Sequence, residues 1–251
     1  MNKFLAVLFT FLFINTMETV GLLGRSASEK QPILPASQTP ASTDWPACRK
    51  AATAGVALAV AKWQSQAALN NVVINGHMAV GGSVTGPALH PSIERTMTEA
   101  GVPAAVANAF ASSVSNAWSV WASSLRVPGL SWYPTFASYP GPVAPPTPNV
   151  PTPLPVLGGN PEPLSAASLK ASIRNALGTR ASDLKALAAI NEFAEDFAAR
   201  FTKYRAIVMV TNVLGTGPVP TFAAPIVNSG PVVGGKGTMK AGGFVGTWPA
   251  N

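Results

Sequence analysis

Ionic side chains are scarce in this sequence. Charged residues make up 11% of the 251, against about 25% in an ordinary soluble domain. The apolar fraction is 47%, much of it alanine. Intrinsic disorder requires high charge and low hydrophobicity, so it is excluded. The same deficit argues against a free, highly soluble monomer, which normally covers itself with mixed charge. Acid is the scarcer sign, and the net charge of +7 follows from 17 basic against 10 acidic residues. No basic run exceeds the pair Arg49-Lys50, and the densest group is Arg200, Lys203 and Arg205. A nucleic-acid footprint needs Lys and Arg gathered on one face, so no specific nucleic-acid partner is expected.

The usual reactive groups are also few. Cys48 is the one cysteine, so no intrachain disulfide can form. It stands near an expected helix start and reads as a buried, inert thiol. The two histidines, His77 and His90, sit in Gly/Pro-rich stretches with no Cys, Asp or Glu at ligand spacing. Zinc patterns and the Gly-x-Ser-x-Gly elbow are missing. Glu192, Glu195 and Asp196 read as one polar helix face, with Arg200 placed to pair with Asp196 four residues earlier. Gly230-Pro-Val-Val-Gly-Gly235-Lys236-Gly237 approaches a P-loop but puts Gly where Ser or Thr belongs, and no helix follows. The sequence therefore predicts no catalytic residue, no metal and no cofactor, and a protein that is not an enzyme.

Only one long apolar run exists. Residues 4–14 are almost wholly apolar and follow Lys3, as in a secretory signal, with small residues around Ser28 at a cleavable spacing. The run is too short to span a bilayer alone. Residues 1–28 are thus a signal-like or hydrophobic N-terminal segment. They can be a cleaved signal, an uncleaved anchor, a buried arm or an upstream extension of the reading frame. Membrane contact is expected only through residues 4–24, if they remain.

What the chain has in abundance is proline (24) and glycine (22), without the Gly-X-Y period of collagen. Residues 29–44 read as a linker. A first helical unit is expected over 45–133. Its first helix runs from Trp45 to Leu69, capped by Asp44, with Val56, Val60, Trp63 and Ala67 on one stripe. A short hairpin or extended loop follows over 71–90. Next come a helix from Ser92 to Ala100 stopped by Gly101, and one from Pro103 to Leu125. Residues 134–164 are so proline-rich that helix and central strand are both excluded, leaving an extended arm. A second helical unit spans 165–208. It holds a helix capped by Ser165 or Ser168 and ending at Gly178, then one starting at Thr179 or Ser182 with the stripe Leu184, Leu187, Asn191, Ala194, Phe197, Phe201 and Val208. Residues 209–251 form a Gly/Pro-rich extended tail.

The two units share element order and the tetrapeptide Pro-Thr-Phe-Ala, at 134–137 and 220–223. This predicts a duplication. The expected fold is mainly α: two duplicated helix-pair units with long extended arms and little β. Arms that cannot pair locally suit docking onto neighbouring chains, and preformed proline-rich arms lose little entropy in doing so. Trp121 is assigned to the core. Trp132, Tyr133, Phe136, Tyr139 and Phe222 are the expected interface anchors. Replacing Trp132 and Tyr133 with Ala is then expected to weaken assembly more than folding.

The Ala-rich helix Leu184–Phe193, the Val-Thr-Asn-Val at 210–213 and the Gly-Thr-Gly-Pro at 215–218 resemble small structural proteins of tailed-phage virions and related contractile particles. The resemblance covers residues 165–245 and is compositional. It implies a non-enzymatic structural subunit whose partners are other subunits of a virion or extracellular particle, in a homo- or hetero-oligomer. The alternative is an exported cell-surface or periplasmic binding or structural protein.

Overall fold

The computed structural model describes residues 43–250; the N-terminal segment 1–28 and the linker up to residue 42 lie outside them. Five helices form where caps and apolar periodicity coincide. These are α1 (Trp45–Gln66), α2 (His90–Glu99), α3 (Ala104–Ser124), α4 (Ala166–Leu177) and α5 (Leu184–Ile207). The Asp44 carboxylate accepts from Ala47 N at 3.1 Å and opens α1. The Ser165 hydroxyl accepts from Ser168 N at 3.2 Å and opens α4. Gly101 and Gly178 follow α2 and α4 with φ of +80° and +57°, a conformation that ends a helix cheaply only for glycine. The helices neighbour one another in a ring: α1 packs on α2, α2 on α3, α3 on α4, α4 on α5, and α5 on α1.

The expected apolar stripe of α1 is buried at Val56, Val60, Trp63 and Ala67. That of α5 is corrected in its first two turns. Asp183 caps the helix, making Leu184 the first helical residue, and it is 81% exposed. Asn191 is also exposed. The buried face runs instead through Ala186, Ile190, Phe193, Phe197, Phe201 and Tyr204, steps of three and four residues.

The expectation of a mainly helical fold with little β is overturned. Seven of the strands are β1 (Ala68–Asn75), β2 (Met78–Thr85), β3 (Val127–Ser131), β4 (Val143–Pro148), β5 (Thr152–Pro153), β6 (Met209–Val210) and β7 (Val213–Pro218). Two more, β8 (Gly235–Met239) and β9 (Phe244–Val245), complete them. An antiparallel six-stranded sheet has the order β3-β2-β1-β8-β7-β4, and a three-stranded sheet the order β5-β6-β9. This is an α+β arrangement, with helices segregated from an antiparallel sheet.

The supposed free arms supply three of that sheet's six strands, β4, β7 and β8. Residues 143–148 of the first arm pair with 213–218 of the second, Val143 opposite Pro218 and Thr147 opposite Gly215. Tyr139 and Gly230 exchange both backbone hydrogen bonds, at 2.7 and 3.1 Å, and Val232 N donates to Phe136 O at 2.9 Å. Each arm thus satisfies the other's backbone, so neither needs a neighbouring chain for that purpose. Proline keeps its predicted effect: Pro145, Pro146 and Pro148 lie on β4, an edge strand, with a register shift between Ala144 and Thr147. Pro128 sits on β3, the opposite edge. Both edge strands thus carry prolines, each of which removes one backbone donor from the sheet's margins.

The two copies of Pro-Thr-Phe-Ala differ in structure. Pro134–Ala137 is a 3-10 turn with Phe136 fully buried. Residues 220–223 lie in an irregular loop with Phe222 half-buried. The four-residue identity does not carry a shared local conformation.

Candidate functional site

Aromatic rings gather in two interior groups. In the first, Trp118 is surrounded by Trp63 (ring centroids 5.2 Å), Trp121 (4.8 Å), Tyr204 (5.8 Å) and Trp248 (6.3 Å). Trp121 is in the core as expected. The indole nitrogens of Trp118, Trp121 and Trp248 and the Tyr204 hydroxyl are buried without a hydrogen-bond partner.

The second group contains the expected interface anchors and corrects most of them. Trp132, Tyr133 and Phe136 are at most 1% exposed. Trp132 Nε1 donates to Thr152 Oγ1 at 2.8 Å, and Tyr133 Oη donates to Val213 O at 2.8 Å. Phe136 stacks on Tyr133 with centroids 5.1 Å apart. Side chains so enclosed cannot anchor another chain, and truncating Trp132 or Tyr133 would damage the fold itself. Tyr139 and Phe222 are half-buried and pack against the core from outside.

The sheet accepts these rings because its inner positions there carry no side chains. Gly215 lies opposite Gly237. A Cβ on Gly215 would stand 2.7 Å from both Ile74 Cδ1 and Tyr133 Cε1, and one on Gly217 would stand 2.5 Å from Gly235 Cα. The segment that approaches a P-loop is part of this glycine floor, with Lys236 and Thr238 pointing away from it as exposed residues.

Burial pushes the Tyr133 and Tyr204 phenols above the ordinary value of 10.0. Their ionisation therefore opposes the folded state. The stability that depends on neutral phenols is complete below pH 10 and is lost as pH climbs from there towards the folded-state values. We expect the pair to remove about 3 kcal/mol per pH unit above pH 10, read by urea unfolding at a series of alkaline pH values. Tyr204→Phe should be neutral or stabilising near pH 7, because it deletes a hydroxyl that has no partner, while Tyr133→Phe should destabilise by about 1 kcal/mol.

Outside the aromatic layer, several apolar side chains are exposed on the sheet and its connections. Val73 and Val80 form a cross-strand pair, 45% and 48% exposed. Val143 lies opposite Pro218, and Val233 N donates to Pro218 O at 3.0 Å. The hairpin turn between β1 and β2 joins this edge: Gly76 N donates to Val232 O at 2.6 Å, and Gly234 N to Asn75 Oδ1 at 2.8 Å. A loop at 219–229 projects from the same end. Its tip is closed by reciprocal hydrogen bonds between Ala223 and Val227, at 2.9 and 2.8 Å, and Ile226 at the tip is 91% exposed. Across residues 73–80, 127–147 and 216–238, Lys236 is the one Lys, Arg, Asp or Glu. The residues that make this surface (Val73, Val80, Val143, Ile226 and Val233) were not singled out in the sequence. The alternation of β1 and β2 was the available signal, since Val73 falls between inward Val72 and Ile74.

Other candidates behave as ordinary structural groups. Cys48 is buried, and its thiol is held above the usual range by burial first and the Asp44 carboxylate second. His77 is exposed; His90 opens α2 rather than lying in a loop, with Nε2 2.9 Å from Asn108 Oδ1. Arg200 Nε reaches Asp196 Oδ2 at 2.8 Å, as its spacing predicted. Among the described residues no three His, Cys, Asp or Glu side chains come together to hold a metal, and no helix is long and apolar enough to cross a membrane. Comparison with protein-family models, with curated proteins and with solved structures finds no match to this chain.

Proposed function

We propose that this protein is a non-catalytic structural subunit of a multi-chain particle, of the virion or phage-like kind, and that it contacts a neighbouring subunit through the apolar end of its six-stranded sheet. The observation that carries this reading is that surface itself. Val73, Val80, Val143, Val233 and Ile226 are each exposed, in segments that share a single ionic side chain, Lys236, which lies opposite Val73. Exposed apolar side chains with so few charges among them support a surface that another subunit covers. The projecting Ile226 loop has the form of a knob for a partner's pocket, since its own hydrogen bonds fix its shape before contact. Phe222 supports this loop from beneath, so one of the anchors expected from sequence serves the surface without lying on it. The compositional resemblance of residues 165–245 to tailed-phage structural proteins supports the kind of particle.

The test is to express Ile226→Asp and Val80→Lys chains in the producing cell and to sediment the native particles. Both changes are at exposed positions, where stability should move by no more than about 0.5 kcal/mol. The wild-type chain should co-sediment with the particle and the variants should remain in the soluble fraction with unchanged melting. Folded variants that are incorporated normally would overturn the reading. The exported alternative rests on residues 1–28, and the mass of the mature N-terminus separates the two: processing near residue 28 favours export.

A further inference from the structure

A second surface feature lies away from the sheet end and is independent of the reading above. Between the β2–α2 connection and the outer face of α3 is a cavity of about 400 Å³. That volume lies within the range of small-ligand sites, about 300–1,000 Å³. Its floor is Trp63 and Trp118, and its walls carry Thr85, Ser115, Asn116 and Ser119. No Lys, Arg, Asp, Glu or His lines it.

The indole of Trp63 is the informative group. The residue is 2% exposed, and its Nε1–H donates to no acceptor among the described residues but is reached from the cavity. The position where Gly86 lacks a side chain is directly in front of it: a Cβ there would stand 2.4 Å from Nε1. Any larger residue would therefore close the N–H off from the cavity. A fixed donor kept open to the cavity in this way is available to an acceptor from outside the chain. Ser115, 8% exposed, sits on the same cavity with a hydroxyl that can donate or accept.

The chemistry of the lining narrows the ligand. A phosphate, nucleotide or carboxylate would lose hydration without gaining a countercharge. An extended peptide needs a run of free backbone groups on the wall, but α3 bonds its own internally and the connection beside it is only Gly86, Pro87 and Ala88. An acyl chain would bury four hydroxyl and amide side chains unpaired. A neutral molecule dense in hydroxyl groups satisfies the indole donor, the Ser and Thr hydroxyls and the Asn amide together. We propose that this cavity is a binding site for a neutral saccharide, with Trp63 Nε1 as the fixed donor and Gly86 as the residue that keeps it accessible.

The test is to titrate the folded full-length protein with D-glucose, D-galactose, N-acetyl-D-glucosamine, maltose, lactose and chitobiose, following tryptophan fluorescence and saturation-transfer NMR. At least one of these should bind saturably, with a Kd on the order of 1 mM or tighter. D-glucuronic acid, which adds a carboxylate to the same ring, should bind at least tenfold more weakly than glucose if glucose binds. Trp63→Phe keeps the ring and removes the donor, and should weaken binding about tenfold while the protein still melts cooperatively. Gly86→Ala should abolish binding; should it fail to fold, Trp63→Phe and Ser115→Ala decide the matter. No saturable binding of any of the six sugars up to tens of millimolar, or binding that folded Trp63→Phe and Ser115→Ala leave unchanged, would overturn the proposal.

Discussion

Gly217→Ala should lower the stability of this protein by about 3 kcal/mol, the upper part of the overpacking range. The added methyl carbon would stand 2.5 Å from Gly235 Cα and 2.7 Å from Val232 Cγ1. The first of these is backbone of the adjacent strand, so no rotamer change relieves the contact. Gly235 is itself tied down, because a Cβ there would stand 2.9 Å from Thr216 O. The strands would have to separate, and β7 and β8 bind the two halves of the chain into one sheet. In a domain of this size, 3 kcal/mol corresponds to a fall in Tm of roughly 6–12 °C. Differential scanning calorimetry measures it directly. The control is Thr216→Ala, at the neighbouring outward position, which removes one hydroxyl bond to Ala144 O and should cost about 1 kcal/mol. Equal losses from the two variants would mean that the glycine floor does not limit how closely the strands and rings approach.

Trp118→Ala should cost more, about 5 kcal/mol, at the top of the range for removing a large aromatic side chain from a core. Trp118 meets Trp63, Trp121, Phe201, Tyr204 and Trp248. These rings come from α1, α3, α5 and the C-terminal segment, so one deletion loosens several elements at once. The cavity left behind is walled by rigid rings that cannot collapse into it, which raises the cost above simple transfer. Set against a typical total of about 5–15 kcal/mol, this loss can leave the chain largely unfolded at 37 °C. Trp118→Phe keeps a ring and discards an indole N–H that has no partner, and should cost well under half as much. Urea midpoints for the two variants give both numbers. A Trp118→Ala chain within 2 kcal/mol of wild type, on the scale of ordinary single substitutions, would show that the ring cluster is not a principal source of stability.

The helices were legible in the sequence because their signals are local. Asp44, Ser165, Gly101 and Gly178 mark helix ends within a few residues of where they occur. The sheet was not legible, because its pairings join distant segments. β4 finds its partner about 70 residues later in β7, and β1 finds β8 about 160 residues later. Proline in residues 143–148 correctly excluded a central strand, yet it could not say that an edge strand would form against the second arm. Glycine misled for a related reason. Gly215, Gly217, Gly235 and Gly237 read as part of an extended tail, whereas each has a ring or a strand pressed against it. The aromatic residues Trp132, Tyr133 and Phe136 read as interface anchors, whereas the fold encloses them. Leu184 was misplaced because periodicity alone does not show where a helix first meets its neighbours.

One consequence of the β1–β8 pairing concerns biosynthesis. The central seam of the sheet joins residues 72–74 to residues 235–237, so the hairpin must wait for about 160 further residues to be translated. Until then Val72 and Ile74, which end fully enclosed, are uncovered on a nascent chain with few charges to keep it apart from its neighbours on the same messenger. Contacts of such long separation also form slowly after release. The sheet thus closes late, and the yield in a cell should depend on chaperone capacity.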